Sequence, residues 1–183
     1  VLASRSPQRR AILEQLGVDF EVMESGAEEL GAGDPAELSV ENARRKARVV
    51  HARLSDPGAL VIGADTVVVL DGEPLGKPAD ATEARRWLDL LTDRDHEVHG
   101  GLALYGPADR ERSGHAVTSV RFRGLTEQER DAYVATGEWR DRAGGYAIQG
   151  RGAALVEAIA GDYLNVVGLP VSLLLGLAPE LML

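Results

Sequence analysis

Apolar positions along the chain fall into two rhythms, one with the period of a helix and one with that of a strand. Ile12, Leu13 and Leu16 mark one face after Ser6 and Pro7, which predicts a helix with Ser6 as N-cap, Pro7 at the first helical position and Gly17 past the end. Val18, Phe20 and Val22 then alternate with Asp19 and Glu21, the period of a half-buried strand. Asp34-Pro35-Ala36-Glu37 predicts a helix start with a capping-box glutamate, in a helix that carries Lys46 and extends toward Leu54. Asp80 with Glu83 opens another, whose Ala84, Trp87, Leu88 and Leu91 share a face, and Thr126 with Glu129 opens one that Gly137 closes. Val1-Leu2-Ala3 reads as the end of a strand, and further strands are predicted over 60–70, 96–104, 116–122 and 153–159. Strands alternating with helices predict an α/β protein. Because 96–122 reads as a hairpin, a mixed sheet is expected rather than a purely parallel one.

One position breaks the pattern. Asp65 lies inside the apolar run Leu60-Val61-Ile62-Gly63-Ala64-Asp65-Thr66-Val67-Val68-Val69-Leu70, bounded by Pro57-Gly58 and Asp71-Gly72. An ionised carboxylate in a buried strand is costly unless it meets a cation, a metal or hydrogen-bond donors. Gly63 and Ala64 lack bulk, so a backbone or a ligand could approach there. The plainer alternative is a turn aspartate between two short strands.

Composition narrows the chemistry. The 183 residues are 44% hydrophobic, enough for one sizeable core, and no cysteine is present, so any metal must take oxygen or histidine ligands. The absence of cysteine agrees with a reducing cytosol, and a cytoplasmic location is expected. The longest apolar stretch near the C-terminus, 166–175, is broken by Gly168, Pro170 and Ser172 and falls short of the roughly 20 residues that span a bilayer. A formal net charge of −9 opposes binding to nucleic acid polymers or acidic membranes, yet the 20 lysines and arginines can still form local anion sites.

Leu2-Ala3-Ser4-Arg5-Ser6-Pro7-Gln8-Arg9-Arg10 suggests one such site. A strand that ends in small hydroxylated residues and feeds a helix N-terminus offers free N–H groups, the positive end of a dipole, and arginines, a setting suited to phosphate. An ordinary helix cap with solvated arginines is the alternative. No Walker A loop or glycine-rich dinucleotide fingerprint is present. His96, His99 and His115 match no standard ligand spacing and are expected to be structural or exposed.

Several segments resemble, in order and at family spacing, the Maf family of nucleoside triphosphate pyrophosphatases. They are Leu2-Ala3-Ser4-Arg5-Ser6-Pro7, Glu41-Asn42-Ala43-Arg44-Arg45-Lys46-Ala47, Gly63-Ala64-Asp65-Thr66-Val67-Val68, Leu75-Gly76-Lys77-Pro78, Thr136-Gly137-Glu138, Tyr146-Ala147-Ile148-Gln149-Gly150 and Asn165-Val166-Val167-Gly168-Leu169-Pro170. The resemblance runs over essentially the whole chain and implies one domain, 1–183, with an inosine triphosphate pyrophosphatase-like fold: a long bent mixed sheet flanked by helices, in two lobes around a central cleft. It implies hydrolysis of a nucleoside triphosphate to the monophosphate and pyrophosphate with a divalent cation, Mg²⁺ or Mn²⁺, as cofactor, and a homodimer; Trp139 and the apolar C-terminus are candidates for its interface.

The family's proton acceptor falls on Asp65, and Asp65 with Glu29 would suit a hard cation. Glu28-Glu29 stands where the family usually carries Asp-Glu. Ser4, Arg9, Lys46 and Lys77 fall on the triphosphate-binding positions. Three positions that the resemblance makes specificity determinants are Gln8, Thr66 and Gln149. Thr66 and Gln149 match the dTTP/UTP pyrophosphatase branch, and Gln8 replaces its arginine, so pyrimidine triphosphates or modified forms are the expected substrates in a role that cleans the nucleotide pool. From the residues alone, Lys46 on a basic helix face, Lys77 in a rigid turn and Gln149 in a glycine-rich loop would each be unremarkable surface or loop residues. The alternative function is a nucleotide-binding regulator of cell division or septum formation with little turnover.

Overall fold

A computed structural model describes residues 1–56, 58–107 and 110–182; Pro57, part of the predicted turn before the apolar run, lies outside them. The helices are α1 (Pro7–Gln15), α2 (Pro35–His51), α3 (Ala81–Leu91), α4 (Glu127–Thr136), α5 (Tyr163–Val167) and α6 (Val171–Leu177); the strands are β1 (Val61–Leu70), β2 (Glu73–Leu75), β3 (Asp95–Gly106), β4 (Arg110–Phe122) and β5 (Val156–Ala160).

The predicted caps form as local chemistry demands. Ser6 accepts from the Arg9 N–H at 3.4 Å, Asp34 from Ala36 and Glu37 at 3.0 and 3.1 Å, and Asp80 from Glu83 at 2.9 Å. At Thr126 the bonds to Glu129 run both ways, completing a capping box, and Gly137 ends α4 at φ 73°. Helix α2 stops at His51, short of Leu54.

The strands pair in the order β2-β1-β3-β4-β5, antiparallel throughout. The mixed character expected of the sheet is confined to two isolated parallel bridges, Leu2 to Ile62 and Leu2 to Val22. The strand predicted over 18–22 does not form. That segment meets only Leu2, giving to its carbonyl from Met23 and receiving its N–H at Glu21, and one residue of partner cannot build a ladder. Residues 150–155, partly assigned to the last strand, wind instead into a 3-10 turn before β5.

Asp65 sits within β1, not in a turn, and every residue of that strand is buried except half-buried Thr66. One face of β1 looks at α2. A Cβ on Gly63 would collide with the Ala43 carbonyl, and one on Gly101, which pairs with Asp65 in β3, with the backbone of Ser39. These two glycines let α2 lie directly on the sheet, beside Asp65. On the other face Ile62 and Ala64 belong to a cluster with Leu13, Leu102, Leu104 and Leu174, while Val68 and Leu70 join Leu88, Val98, Phe122, Trp139 and Tyr146. Thr66 falls in the gap between these separately packed clusters. Trp139 is 5% exposed and donates through Nε1 to the Val134 carbonyl at 2.9 Å. Its expected share in a dimer interface is therefore corrected: the indole is spent on the core.

Candidate active site

Strand β1 is paired by Leu2 at Ile62 and by β2 from Val68 onward, so on that side residues 63–67 have no strand partner among the described residues. Side chains alternate across a strand, and at this open edge Asp65 reaches from one face and Thr66 from the other. The Ala3 N–H donates to the Ile62 carbonyl at 2.8 Å, which delivers Ser4 and the start of α1 to the same edge.

A cleft of about 570 Å³ opens there. It is lined by Ser4, Gln8, Arg9, Glu29, Lys46, Asp65, Thr66 and Lys77, eight of the nine residues singled out from the sequence. Gln149 is not among the lining residues; its side chain is exposed at the entry to the 3-10 turn. Glu28 is exposed and outside the cleft as well, so Glu29 is the acidic residue of that pair that faces it.

On the α2 side, the Lys46 ammonium lies 2.6 Å from Asp65 Oδ1 and 2.6 Å from Glu29 Oε1. Asp65 Oδ2 accepts from Asn42 Nδ2 at 3.1 Å. The carboxylate that a buried strand would reject thus has one cation and one amide donor. Burial would raise the Glu29 carboxyl, but Lys46, followed by Lys77 and Arg9, outweighs it and the net shift is downward. The same influences show that all three cations bear on Glu29.

Across the strand edge, the Arg9 guanidinium is buried, with three of its five N–H donors engaged in the bonds that orient it. It donates from Nε to the Gly168 carbonyl at 2.8 Å, from Nη1 to Ser4 Oγ at 3.1 Å and from Nη2 to Thr66 Oγ1 at 3.2 Å. Burial lowers its pKa, with Asp65 and Glu29 opposing. The Asn165-to-Pro170 segment now has a physical role. Asn165, wholly buried, donates to the Val98 carbonyl at 2.9 Å and to Thr118 Oγ1 at 3.1 Å, which pins α5 so that Gly168 meets Arg9. Gln8 accepts from the Ser6 hydroxyl at 3.1 Å.

The opposite wall holds residues that sequence reasoning did not assign: Val68, Val98, Arg140, Arg142, Tyr146 and Val167. Arg142 Nε is buried without a hydrogen-bond partner. Gly144 donates its N–H to the Gly76 carbonyl at 3.1 Å, tying this wall to the turn that carries Lys77. The Tyr146 hydroxyl meets His96 Nε2 at 2.7 Å, and His96 packs edge-on against Phe122 and Tyr146, so it is structural. His99 pairs with His115 at 3.0 Å and with Glu97 at 3.0 Å, and no group of three or more His, Asp or Glu able to hold a metal occurs among the described residues.

Such a site can do definite chemistry. A carboxylate held between a lysine and an amide, with a buried arginine, a lysine and a helix N-terminus beside it, suits a polyanion that carries a leaving group and a water to be deprotonated. The sequence comparison agrees: the family model described as Maf-like protein matches residues 1–181, and the chain belongs to that family. Within it, the dTTP/UTP pyrophosphatase of Symbiobacterium thermophilum is 51% identical over 93% of this chain and 87% of that protein. The dTTP/UTP pyrophosphatases of Thermococcus gammatolerans and Deinococcus radiodurans are 49% and 48% identical, over 95% and 97% of this chain and 92% and 90% of theirs. Among solved structures, a nucleoside-triphosphatase / dITP/XTP pyrophosphatase from Mycobacterium abscessus is 20% identical over 66% of this chain and 72% of its own, with a TM-score of 0.48, too low to carry a conclusion.

Proposed function

We propose that this chain is a nucleoside triphosphate pyrophosphatase that cleaves pyrimidine triphosphates, dTTP and UTP or their modified forms, and so cleans the nucleotide pool. The observation that carries it is the contact of Asp65 with Lys46 at the open edge of β1, facing Arg9 across the strand, in a chain about half identical to enzymes named for that activity. Water attacks the α-phosphorus, the bond from that phosphorus to the α,β-bridging oxygen breaks, and Asp65 takes the water's proton as pyrophosphate leaves. Arg9, Lys46, Lys77 and Ser4 hold the phosphate oxygens and neutralise charge as it develops. The apolar wall of Val68, Val98 and Val167 gives a flat base a surface, and Thr66 and Gln8 offer it polar contacts. Gln149 drops out of this set because its side chain stands outside the cleft.

Two carboxylate oxygens, from Asp65 and Glu29, converge on one point, where Lys46 now sits. Two hard oxygens without further protein ligands fit Mg²⁺ or Mn²⁺ shared with a substrate's phosphates better than a resident metal cage. When bound there, such a cation would supply charge neutralisation on the phosphates. One domain of two lobes, a homodimer and a cytoplasmic location, all implied by the family resemblance, complete the proposal. No helix among the described residues is long and apolar enough to cross a membrane. The division-regulator alternative gains no support, since the named relatives carry an enzymatic activity.

The test is pyrophosphate release from dTTP, UTP, modified pyrimidine and purine triphosphates, with and without Mg²⁺. Asp65→Asn is expected to lower kcat by about 100-fold or more. Equal turnover by Asp65→Asn and wild type would remove Asp65 from the mechanism.

A further inference from the structure

We infer that Asn42 is a positioning residue, which fixes Asp65 and the Glu29 segment relative to one another; the inference rests on the pyrophosphatase reading. Asn42 is 3% exposed, on the face of α2 that packs against β1, one turn before Lys46. Its amide is fully used. Nδ2 donates to Asp65 Oδ2 at 3.1 Å and to the Leu30 carbonyl at 3.1 Å, and Oδ1 accepts the Leu30 N–H at 2.7 Å. An Asn amide carries two N–H donors, so both find acceptors.

The grip on Leu30 works through the backbone. The Leu30 side chain is 39% exposed, so it is the peptide that α2 holds, much as a neighbouring strand would. Residues 24–31 have no regular secondary structure. Other ties are longer or lie farther from Glu29: Arg45 reaches the Glu28 carbonyl at 3.5 Å, Ser25 accepts from Ala27 at 3.3 Å, and at the start of the segment Arg53 donates to the Glu24 carbonyl at 3.1 Å and Arg5 pairs with the Glu24 carboxylate at 2.9 Å. The Glu29 side chain pairs with the Lys46 ammonium at 2.6 Å, the same ammonium that holds Asp65. A single amide therefore fixes one carboxylate directly and the other through the next residue, while Lys46 neutralises both.

Two substitutions separate positioning from bulk. Asn42→Ala removes both contacts and leaves a space that water can enter. Asn42→Asp keeps the shape and the acceptor for the Leu30 N–H, but loses both donors and sets a carboxylate against Asp65. Displacements of about 1 Å at a reacting group can cost about 100-fold. Both variants should lower kcat by about 10- to 100-fold with KM for dTTP within about threefold, because the triphosphate contacts of Arg9 and Lys77 remain. Both variants are expected to melt below wild type, Asn42→Ala through the space it leaves and Asn42→Asp through a second buried carboxylate beside Asp65. Measured well below each melting temperature, the split between a lowered kcat and an unchanged KM is therefore the sharper readout, since lost packing gives no reason for the chemical step alone to slow.

The inference is overturned if either folded variant keeps kcat within threefold of wild type, or if KM for dTTP rises by as much as kcat falls. If one variant fails to fold, the other decides by its kcat and KM. Asp65→Asn measured beside them keeps the two readings apart. A loss of turnover there, with wild-type kcat in both Asn42 variants, rejects the role of Asn42 alone; full turnover in Asp65→Asn rejects both.

Discussion

Replacing Lys46 by Met measures what the burial of Asp65 costs. Met retains most of the aliphatic stem and removes the ammonium that lies 2.6 Å from both Asp65 Oδ1 and Glu29 Oε1. The two carboxylates are not equivalent. The Glu29 side chain is 42% exposed, so losing its partner costs at most about 1 kcal/mol. The Asp65 side chain is 10% exposed and would keep Asn42 as its remaining donor among the described residues. Removing one partner of a buried pair costs about 3 to 5 kcal/mol, and because the cleft admits water the lower end applies, about 3 kcal/mol. For a chain of 183 residues each kcal/mol shifts Tm by about 2–4 °C, so Lys46→Met should melt about 6 to 12 °C below wild type.

A double-mutant cycle assigns that loss. Asp65→Asn alone leaves Lys46 paired with Glu29 and should cost only about 1 kcal/mol. In the Lys46→Met background the same change removes a stranded charge, so it should restore stability, with a coupling of about 2 kcal/mol or more. Calorimetry or urea denaturation of the four proteins at pH 7 reads the cycle. If Lys46→Met and the double variant melt together, a stranded Asp65 charge is not what destabilises the protein, and the reasoning fails.

Two further outcomes follow from the fold. Gly101→Ala pushes a methyl into the backbone of α2 at Ser39, which cannot swing aside, and should cost about 1 to 3 kcal/mol in urea titrations; Gly176→Ala, with open space beside it inside α6, should be neutral or stabilising, and equal losses would contradict the packing account. Burial holds the His96 pKa down to about 4 against the opposing pull of Asp95, below its ordinary 6.5, so the unfolded state binds the extra proton. Stability from this group is therefore complete above about pH 6.5 and falls by about 3 kcal/mol as pH drops toward 4. His96→Gln, which does not titrate and keeps an acceptor for Tyr146, should flatten that part of the acid decline; identical pH dependence of the two urea midpoints would exclude His96 as its source.

What was legible in the sequence divides along the range of the interactions involved. Helix starts at Ser6, Asp34, Asp80 and Thr126 could be read because a cap is satisfied within three residues of itself. The alternation over 18–22 misled because a strand also needs a partner, and the chain brings only Leu2 to it. The start of β4 at Arg110 was missed for the converse reason: its first residues are polar, and pairing with β3 from Gly106 onward, not a hydrophobic rhythm, makes them a strand. Asp65 stood out because it was locally wrong, whereas Arg142 and Tyr146 looked ordinary until the fold set them opposite β1. Asn42 belongs between these cases. With Ser39, Ala43, Lys46, Ala47 and Val50 it shares the buried face of α2, a stripe in which small residues bring the helix close and two polar residues four apart have no solvent to meet. Gly63 beside Asp65 and Gly101 across from it in β3 form the matching half of that surface: a sheet made small where it carries a charge. Neither half identifies the other alone, but a helix face of alanines with a lysine and an asparagine needs a buried acid, and Asp65 is a buried acid in want of just such donors.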